Sequence, residues 1–278
     1  TDPPPTDIYT PRLSSAASDV YKRQVQGQTI TAIVVRNPSL RWPVPDSVQQ
    51  ACGALVADCR RRAKYLLIDL ENTPGLLIHL GMTGSLRICD AGDEPRKHDH
   101  VDIVLGNGKC IRFNDPRRFG VFTTWDHPAE KHPLLCNLGP EPLTDEFTGK
   151  YLWNRSRGRK GAVKNFIMDG KVVVGVGNIY ASEALFMAGI HPSRAAGRVS
   201  AVRYEALCKA IRDVLERAIR SGGTTLQDFH DTEGNPGYFA QELLVYDRAG
   251  QPCFRCQTSL RRKVIGQRSS YYCPSCQR

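Results

Sequence analysis

Four cysteines near the C-terminus, Cys253, Cys256, Cys273 and Cys276, form two C-x-x-C pairs separated by sixteen residues. Each pair can turn two thiolates toward one side of a metal ion, and four soft thiolates match the closed tetrahedral set of a structural Zn²⁺. A chain with this spacing is committed to a small metal-clamped hairpin at its end. The alternative for these four residues is a pair of disulfides or redox couples. The other six cysteines, Cys52, Cys59, Cys89, Cys110, Cys136 and Cys208, show no pairing pattern, as expected of reduced thiols used as small apolar residues in a reducing, cytoplasmic compartment. No acidic residue follows Asp247, whereas Arg248, Arg255, Arg261, Arg262, Lys263, Arg268 and Arg278 are cationic. A polyanion is the natural partner of such a finger.

The formal charge of +10 on 278 residues extends that inference to the whole chain. With 41% hydrophobic residues, a chain of this length can bury more than one core, so two domains plus the finger are expected. No apolar run reaches the length of a membrane span. Residues 1–24 lack apolar periodicity and hold a Ser/Ala tract, which reads as a leader without regular structure or as a sequence artefact, and not as a secretory signal.

Between residues 25 and 136 the pattern is that of strands. The β-branched run Gln28–Arg36, the apolar runs Ala63–Leu70 and Gly75–Leu80 around Asn72 and Pro74, and Gly120–Val121–Phe122–Thr123–Thr124–Trp125 each have strand length. His100–Leu105 and Lys109–Phe113 flank Gly106–Asn107–Gly108 as a hairpin. This half reads as a β-sandwich or barrel. Asn137–Pro142, with Gly-Pro-Glu-Pro, reads as a linker. From there to residue 246 the signals are helical. Ser200 is placed to cap a helix whose buried face carries Leu207, Ile211, Val214, Leu215, Ala218 and Ile219, stopped by Gly222–Gly223. Gly175 and Gly177 suit a tight loop opening a helix near Asn178, which is either plain turn chemistry or an anion-facing helix start. Residues 247–278 complete the chain as the finger.

Several segments together resemble the bacterial formamidopyrimidine-DNA glycosylase family. They are Arg61–Leu67 (RRAKYLL), His79–Arg87 (HLGMTGSLR), Lys97–Val101 (KHDHV), Asp115–Gly120 (DPRRFG), Gly175–Pro192, Gly222–Leu226 (GGTTL), Gly237–Glu242 (GYFAQE) and the finger. The resemblance runs from about Gln26 to Arg278 and implies an α+β multidomain fold: an N-terminal β-sandwich, a helix-two-turn-helix domain and a C-terminal zinc finger with one structural Zn²⁺. It also implies excision of oxidised purines such as 8-oxoguanine from duplex DNA, with lyase cleavage of the abasic strand by a monomeric enzyme.

Excision requires the damaged base to leave the stack. The resemblance assigns the vacated space to Met82, Arg117 and Phe119: an apolar wedge, a guanidinium for the orphaned base and an aromatic blade. Read without it, Met82 and Phe119 are ordinary core residues. It assigns phosphate contacts to His98, Asn178, Lys64, the finger arginines and Arg159; Lys160 and Lys164 are close enough to share that role, and a solvated surface charge is the default for each. The resemblance carries Arg268 over to the second elimination step; apart from it, Lys64 is an amine that can attack an abasic aldehyde already formed, though an ordinary lysine is almost fully protonated at neutral pH. Thr224–Tyr238 resembles the loop that closes over the flipped base, with Gln227 where a basic residue is expected. Family members open with Pro-Glu-Leu-Pro-Glu, whose proline amine attacks the sugar. No position of the given sequence matches that segment, so the nucleophile is transferred to none. Two neighbouring readings share much of this pattern: a DNA-binding relative without catalysis, and an endonuclease VIII-like glycosylase acting on oxidised pyrimidines.

Overall fold

In the computed structural model, residues 8–10, 22–81, 83–126, 128–221 and 243–278 are described. The chain divides into two compact units, one containing the residues up to Cys136 and the other 137–221 with the C-terminal residues from 238.

The first unit is built from β-strands because its apolar residues alternate. Its strands are β1 (Ile8–Thr10), β2 (Ile30–Val35), β3 (Val56–Arg62), β4 (Tyr65–Leu70), β5 (Gly75–His79), β6 (Ser85–Asp90), β7 (Asp99–Leu105), β8 (Lys109–Asn114) and β9 (Val121–Trp125). They form a five-stranded sheet in the order β1-β6-β8-β7-β2 and a four-stranded sheet in the order β3-β4-β5-β9. Every pairing in the two sheets is antiparallel. Leu66, Ile68, Leu76, Ile78 and Phe122 of one sheet share a buried cluster with Leu86, Ile88, Val101, Ile103, Ile111 and Phe113 of the other. Full burial of each such side chain stabilises by roughly 1.5–3 kcal/mol, which is what holds a two-layer sandwich together. Within the segment expected to lack regular structure, Ile8–Thr10 pair with Leu86–Ile88, and residues 22–25 are helical.

The sequence pattern missed β3 and β6. Both carry arginines, and in β6 the charge is internal. Arg87 is 3% exposed and lies against Asp99, its Nη1 donating to Oδ1 at 2.8 Å. Beside it Arg112, 1% exposed, donates through Nε and Nη2 to the two oxygens of Asp102 at 2.9 Å, and Arg36 adds a third donor to Asp102 at 2.7 Å. Paired, bidentate charges of this kind are tolerated in a sheet; a single one is not.

The second unit holds α1 (Gly149–Ser156), α2 (Val163–Met168), α3 (Asn178–Met187) and α4 (Ala201–Arg220). Thr148 caps α1 by accepting from the Tyr151 amide at 3.0 Å. Ser200 occupies the N-cap position of α4, but its side chain makes no capping bond, contrary to expectation. Leu207, Ile211, Val214, Leu215 and Ala218 are buried as the periodicity requires, whereas Ile219 at the fraying end is 41% exposed. The finger hairpin, β10 (Arg261–Ile265) and β11 (Arg268–Tyr272), turns through Gly266 and Gln267, both at positive φ, as a two-residue turn between twisted strands requires. Its approach is fixed by Glu183 of α3, whose carboxylate accepts from the amides of Leu244, Val245 and Tyr246 at 2.8–2.9 Å. Among the described residues no helix is long and apolar enough to cross a membrane.

The Asp102→Ala variant leaves the buried Arg112 guanidinium without its carboxylate and should destabilise the chain by about 3–5 kcal/mol. A urea unfolding midpoint within error of the parent would show that the ion pair is dispensable.

Candidate functional site

The strand registers decide which loops meet. Tyr65, at the start of β4, pairs with His79, at the end of β5, and His79 pairs with Val121, at the start of β9. In the other sheet Ser85 pairs with Asn114, and Asn114 with Asp99. In each sheet, therefore, the connections that carry Lys64, residues 80–84, Lys97–His98 and Asp115–Gly120 leave from matched strand ends. Further contacts join them. The Gly81 amide donates to His79 Nδ1 at 3.0 Å, and a Cβ added to Gly81 would lie 2.6 Å from the Phe119 carbonyl carbon. Thr83 Oγ1 donates to Asp115 Oδ1 at 2.8 Å, the Gly120 amide to Asp115 Oδ2 at 2.7 Å, and the Asp115 amide to the His98 carbonyl at 3.0 Å. His100 Nε2 lies 2.8 Å from the Asp115 carbonyl oxygen.

Asp115, fully buried, is thus a staple that closes the loop 115–120. Arg117, Arg118 and Phe119 are left exposed on it, Phe119 by 49%, with the Arg117 guanidinium 5.6 Å from the Phe119 ring centre. An exposed Phe beside an exposed Arg is not a core residue, which answers the alternative left open for Phe119. Met82 lies outside the described residues, as do Gln227 and the segment Thr224–Tyr238. Three non-glycine residues in these connections have left-handed backbones: Ala63 (φ 54°), His98 (φ 72°) and Arg118 (φ 56°). Such strain persists where the surrounding structure over-determines a conformation. His79 is pushed down to about 4 by burial, with the Lys64 and Arg41 charges adding to the effect, so at neutral pH its ring is uncharged and Nδ1 is an acceptor.

The second unit brings Asn178, Arg268 and a buried lysine together. Lys164, expected as a surface cation, is fully buried. Its ammonium donates to Asn178 Oδ1 (2.5 Å), Ser270 Oγ (2.6 Å) and the Ser269 carbonyl (3.0 Å). Asn178 Nδ2 donates onward to the Ser269 carbonyl at 3.0 Å and to Tyr246 Oη at 3.3 Å. Asn178 opens α3 directly after Gly177, and Gly175 has the left-handed backbone (φ 80°) its loop requires. Arg268 is exposed at the start of β11. Burial, reinforced by the Arg268 charge, pulls Lys164 down to about 8. Arg159 and Lys160 are exposed in the loop 157–162 and stand apart from this network.

The four finger cysteines offer sulfur atoms that all lie within 4.8 Å of one another. Cys253 Sγ is 4.0 Å from Cys276 Sγ, and Cys256 Sγ is 3.4 Å from Cys273 Sγ. The amides of Arg255 and Cys276 donate to Cys253 and Cys273 sulfurs at 3.4 Å, the bonds a thiolate accepts at the head of a knuckle. Four sulfurs so arranged fit one tetrahedral Zn²⁺ and leave no open position, so the ion is structural. Gln277, unmarked by any motif, locks the second knuckle to the helices. It accepts from the Cys273 amide and donates to the Ile190 carbonyl, both at 2.8 Å.

A β-sandwich with an exposed Arg/Phe loop, followed by a helical unit clasped to a basic Cys₄ hairpin, defines the class of nucleic-acid-directed proteins. Comparison with known proteins narrows this. The chain matches the formamidopyrimidine-DNA glycosylase N-terminal domain over residues 14–122, the H2TH domain of the same proteins over 138–230, and the zinc finger found in FPG and IleRS over 250–278. It is 59% identical over 256 residues to the formamidopyrimidine-DNA glycosylase of Alcanivorax borkumensis, covering 91% of this chain and 94% of that one. It is 60% identical over 254 residues to that of Syntrophotalea carbinolica, covering 90% and 93%. The crystal structure of MutM (FPG) from Thermus thermophilus superposes with a TM-score of 0.83 at 34% identity, covering 96% of this chain and 98% of that one. Lactococcus lactis FPG in complex with Fapy-dG-containing DNA gives 0.83 at 25% identity, covering 95% and 98%. The chain belongs to the formamidopyrimidine-DNA glycosylase family.

Two outcomes follow from this geometry. Elemental analysis should find one zinc per chain, and stripping it with a chelator should lower the unfolding temperature; an unchanged melt would mean the cysteines do not hold the hairpin. Lys164 titrates near 8 when folded and at its ordinary 10.5 when unfolded. Between those values the unfolded chain binds the extra proton, so stability should rise with pH across that window. Lys164→Met should flatten that rise, and a slope equal to the parent's would place the ammonium in contact with water.

Proposed function

We propose that the chain excises oxidised purines, such as 8-oxoguanine and formamidopyrimidines, from duplex DNA and then cleaves the abasic strand. The observation that carries this reading is family membership across nearly the whole chain, joined to the exposed Arg117–Phe119 pair on a loop closed by a buried carboxylate. Phe119, with Met82, is the wedge that enters the stack as the base leaves, and Arg117 is the flat donor that pairs with the orphaned partner. A wedge does work only if it cannot yield, and the two Asp115 carboxylate bonds supply that rigidity.

Phosphate contacts belong to Lys64 and His98 on the first unit and to Arg159, Lys160, Asn178 and Arg268 on the second. The two carboxamide N–H groups of Asn178 are engaged within the protein. Its contribution is therefore the backbone amide at the start of α3, where the free N–H groups and the helix dipole favour an anion. Arg268 is held next to that helix start through the Lys164 bonds to its neighbours Ser269 and Ser270, and it stabilises the phosphate that departs in the second elimination. Lys64 steadies the backbone near the reacting sugar. The zinc ion supplies no step of the reaction; it keeps Arg268 in place. The damaged duplex is the partner, and the cytoplasm the compartment.

Incubation with a duplex bearing 8-oxoguanine opposite cytosine should release the base and leave a one-nucleoside gap, and any adduct that borohydride traps would, once mapped, name the amine that forms it. Arg268→Ala should slow strand cleavage by about two orders of magnitude, as loss of one charge-stabilising donor does, while base release falls less. Adduct formation by Lys64→Ala at the parental level would remove Lys64 from amine chemistry and keep it at the phosphate. Tight binding with no base release would defeat the catalytic reading.

A further inference from the structure

Away from the Arg268 cluster, the connection between α3 and α4 forms a surface cavity of about 540 Å³ lined by His191, Ser193, Arg194, Ala195 and Arg198. Its size is that of pockets that hold a small organic ligand, about 300–1,000 Å³. Among the described residues no Asp or Glu lines it. On the lining residues, Ser193 Oγ and Arg194 Nε are buried and, among the described residues, have no hydrogen-bond partner, a cost that a protein seldom carries unless the groups serve something else. The rest of the lining is held rigidly. His191 Nδ1 accepts from the Ser193 amide at 3.2 Å, the His191 ring packs edge-on to Tyr272 at 4.6 Å, and the Arg194 carbonyl accepts from the Val163 amide at 2.7 Å. Burial is the main cause that holds the His191 ring below its usual proton affinity, and the Lys263 and Arg194 charges add to it, so Lys263 contributes further positive charge around the cavity. Arg203, the next cation on α4, is spent on the carbonyls of Gly189 and Arg278.

We propose that this cavity is a phosphate-binding site, distinct from the one at Arg268, with Arg194 and Arg198 as the charge partners and Ser193 as the hydroxyl donor. Tyr272 and Arg268 lie at opposite ends of β11, four residues apart. At roughly 3.3 Å per residue the separation is about 13 Å, close to four base-pair rises along a duplex. A phosphate can therefore reach the cavity in two ways: as part of the flank of a duplex held at Arg268, or on a free nucleotide. The site stands on the cavity's own chemistry and not on the excision reading.

The test uses the zinc-loaded full chain, Arg198→Gln on the exposed rim, and the double variant Ser193→Ala with Arg194→Gln. One arm follows the His191 ring resonances during titration with inorganic phosphate and with adenosine 5′-monophosphate. The other compares the salt dependence of binding to a short lesion duplex and to one extended by about one helical turn, about 10 base pairs, on each side. A saturable His191 shift in the parent, lost in the variants, assigns a free phosphate. A salt slope that falls by about 0.9 in the variants, on the extended duplex alone, assigns a flanking phosphodiester. Base release by Arg198→Gln on the short duplex should equal the parent's. If the parent shows no His191 shift, and its slope on the extended duplex matches the variants', the cavity does not bind phosphate. If the parent binds no duplex at all, the excision reading fails while the phosphate titration still decides the cavity. Should the double variant not fold, Arg198→Gln gives both readouts alone.

Discussion

The buried ammonium of Lys164 ties the second unit together. A protonated amine removed from water is tolerated only with its donors met, and here they are met by α3, through Asn178, and by β11, through Ser269 and Ser270. One side chain on α2 thereby fixes the angle between a helix start and the finger hairpin. The metal clamp then has a defined object: it stiffens a hairpin already docked, with Glu183 gripping its approach and Gln277 its far end. The Arg255 guanidinium adds a third hold by stacking 4.6 Å over the Phe186 ring. The low proton affinity of Lys164 is the cost of that arrangement.

The first unit solves the matching problem with a carboxylate. Asp115 takes one hydrogen bond from the loop that precedes β6 and one from its own loop's end. The exposed Arg and Phe between those bonds are presented, not merely tolerated. A neutral His79 is consistent with this, because burial disfavours its charge and a third positive charge would repel those of Lys64 and Arg41.

Much of this was readable in the chain. Apolar runs and alternation located β2, β4, β5, β7, β8 and β9, even though β7 and β8 also bury Asp99, Asp102 and Arg112, and cysteine spacing located the finger. β3 and β6 were hidden because Arg60, Arg61, Arg62 and Arg87 break the alternation. Only the register, which sets Arg87 of β6 among Asp99 and its neighbours, shows that the charge is matched inside. The family motifs pointed to Arg117, Phe119, Arg159, Lys160 and Arg268, and all five are exposed. Lys164 was not legible as a buried residue, since two of its three acceptors, Ser269 and Ser270, come from positions more than a hundred residues downstream. Glu183 and Asp115 escaped for the same reason: a carboxylate serving backbone amides leaves no mark in local composition.

The closure between Asp115 and Gly120 also acts as a ruler. A side chain at Gly120 would meet the Phe113 ring at 2.6 Å and the His79 carbonyl at 2.8 Å, so the loop's far end cannot shift to absorb an added residue. The hairpin turn at Gly106–Gly108 is held by backbone bonds to Thr29 and Ala91 and not by a buried carboxylate, and among the described residues a Cβ at Gly108 meets nothing within 4 Å. Length variation accumulated by descent should therefore collect at turns like the latter and be excluded from the former. The spacing of six residues, more than the identity of any one between its ends, is what inheritance has to preserve.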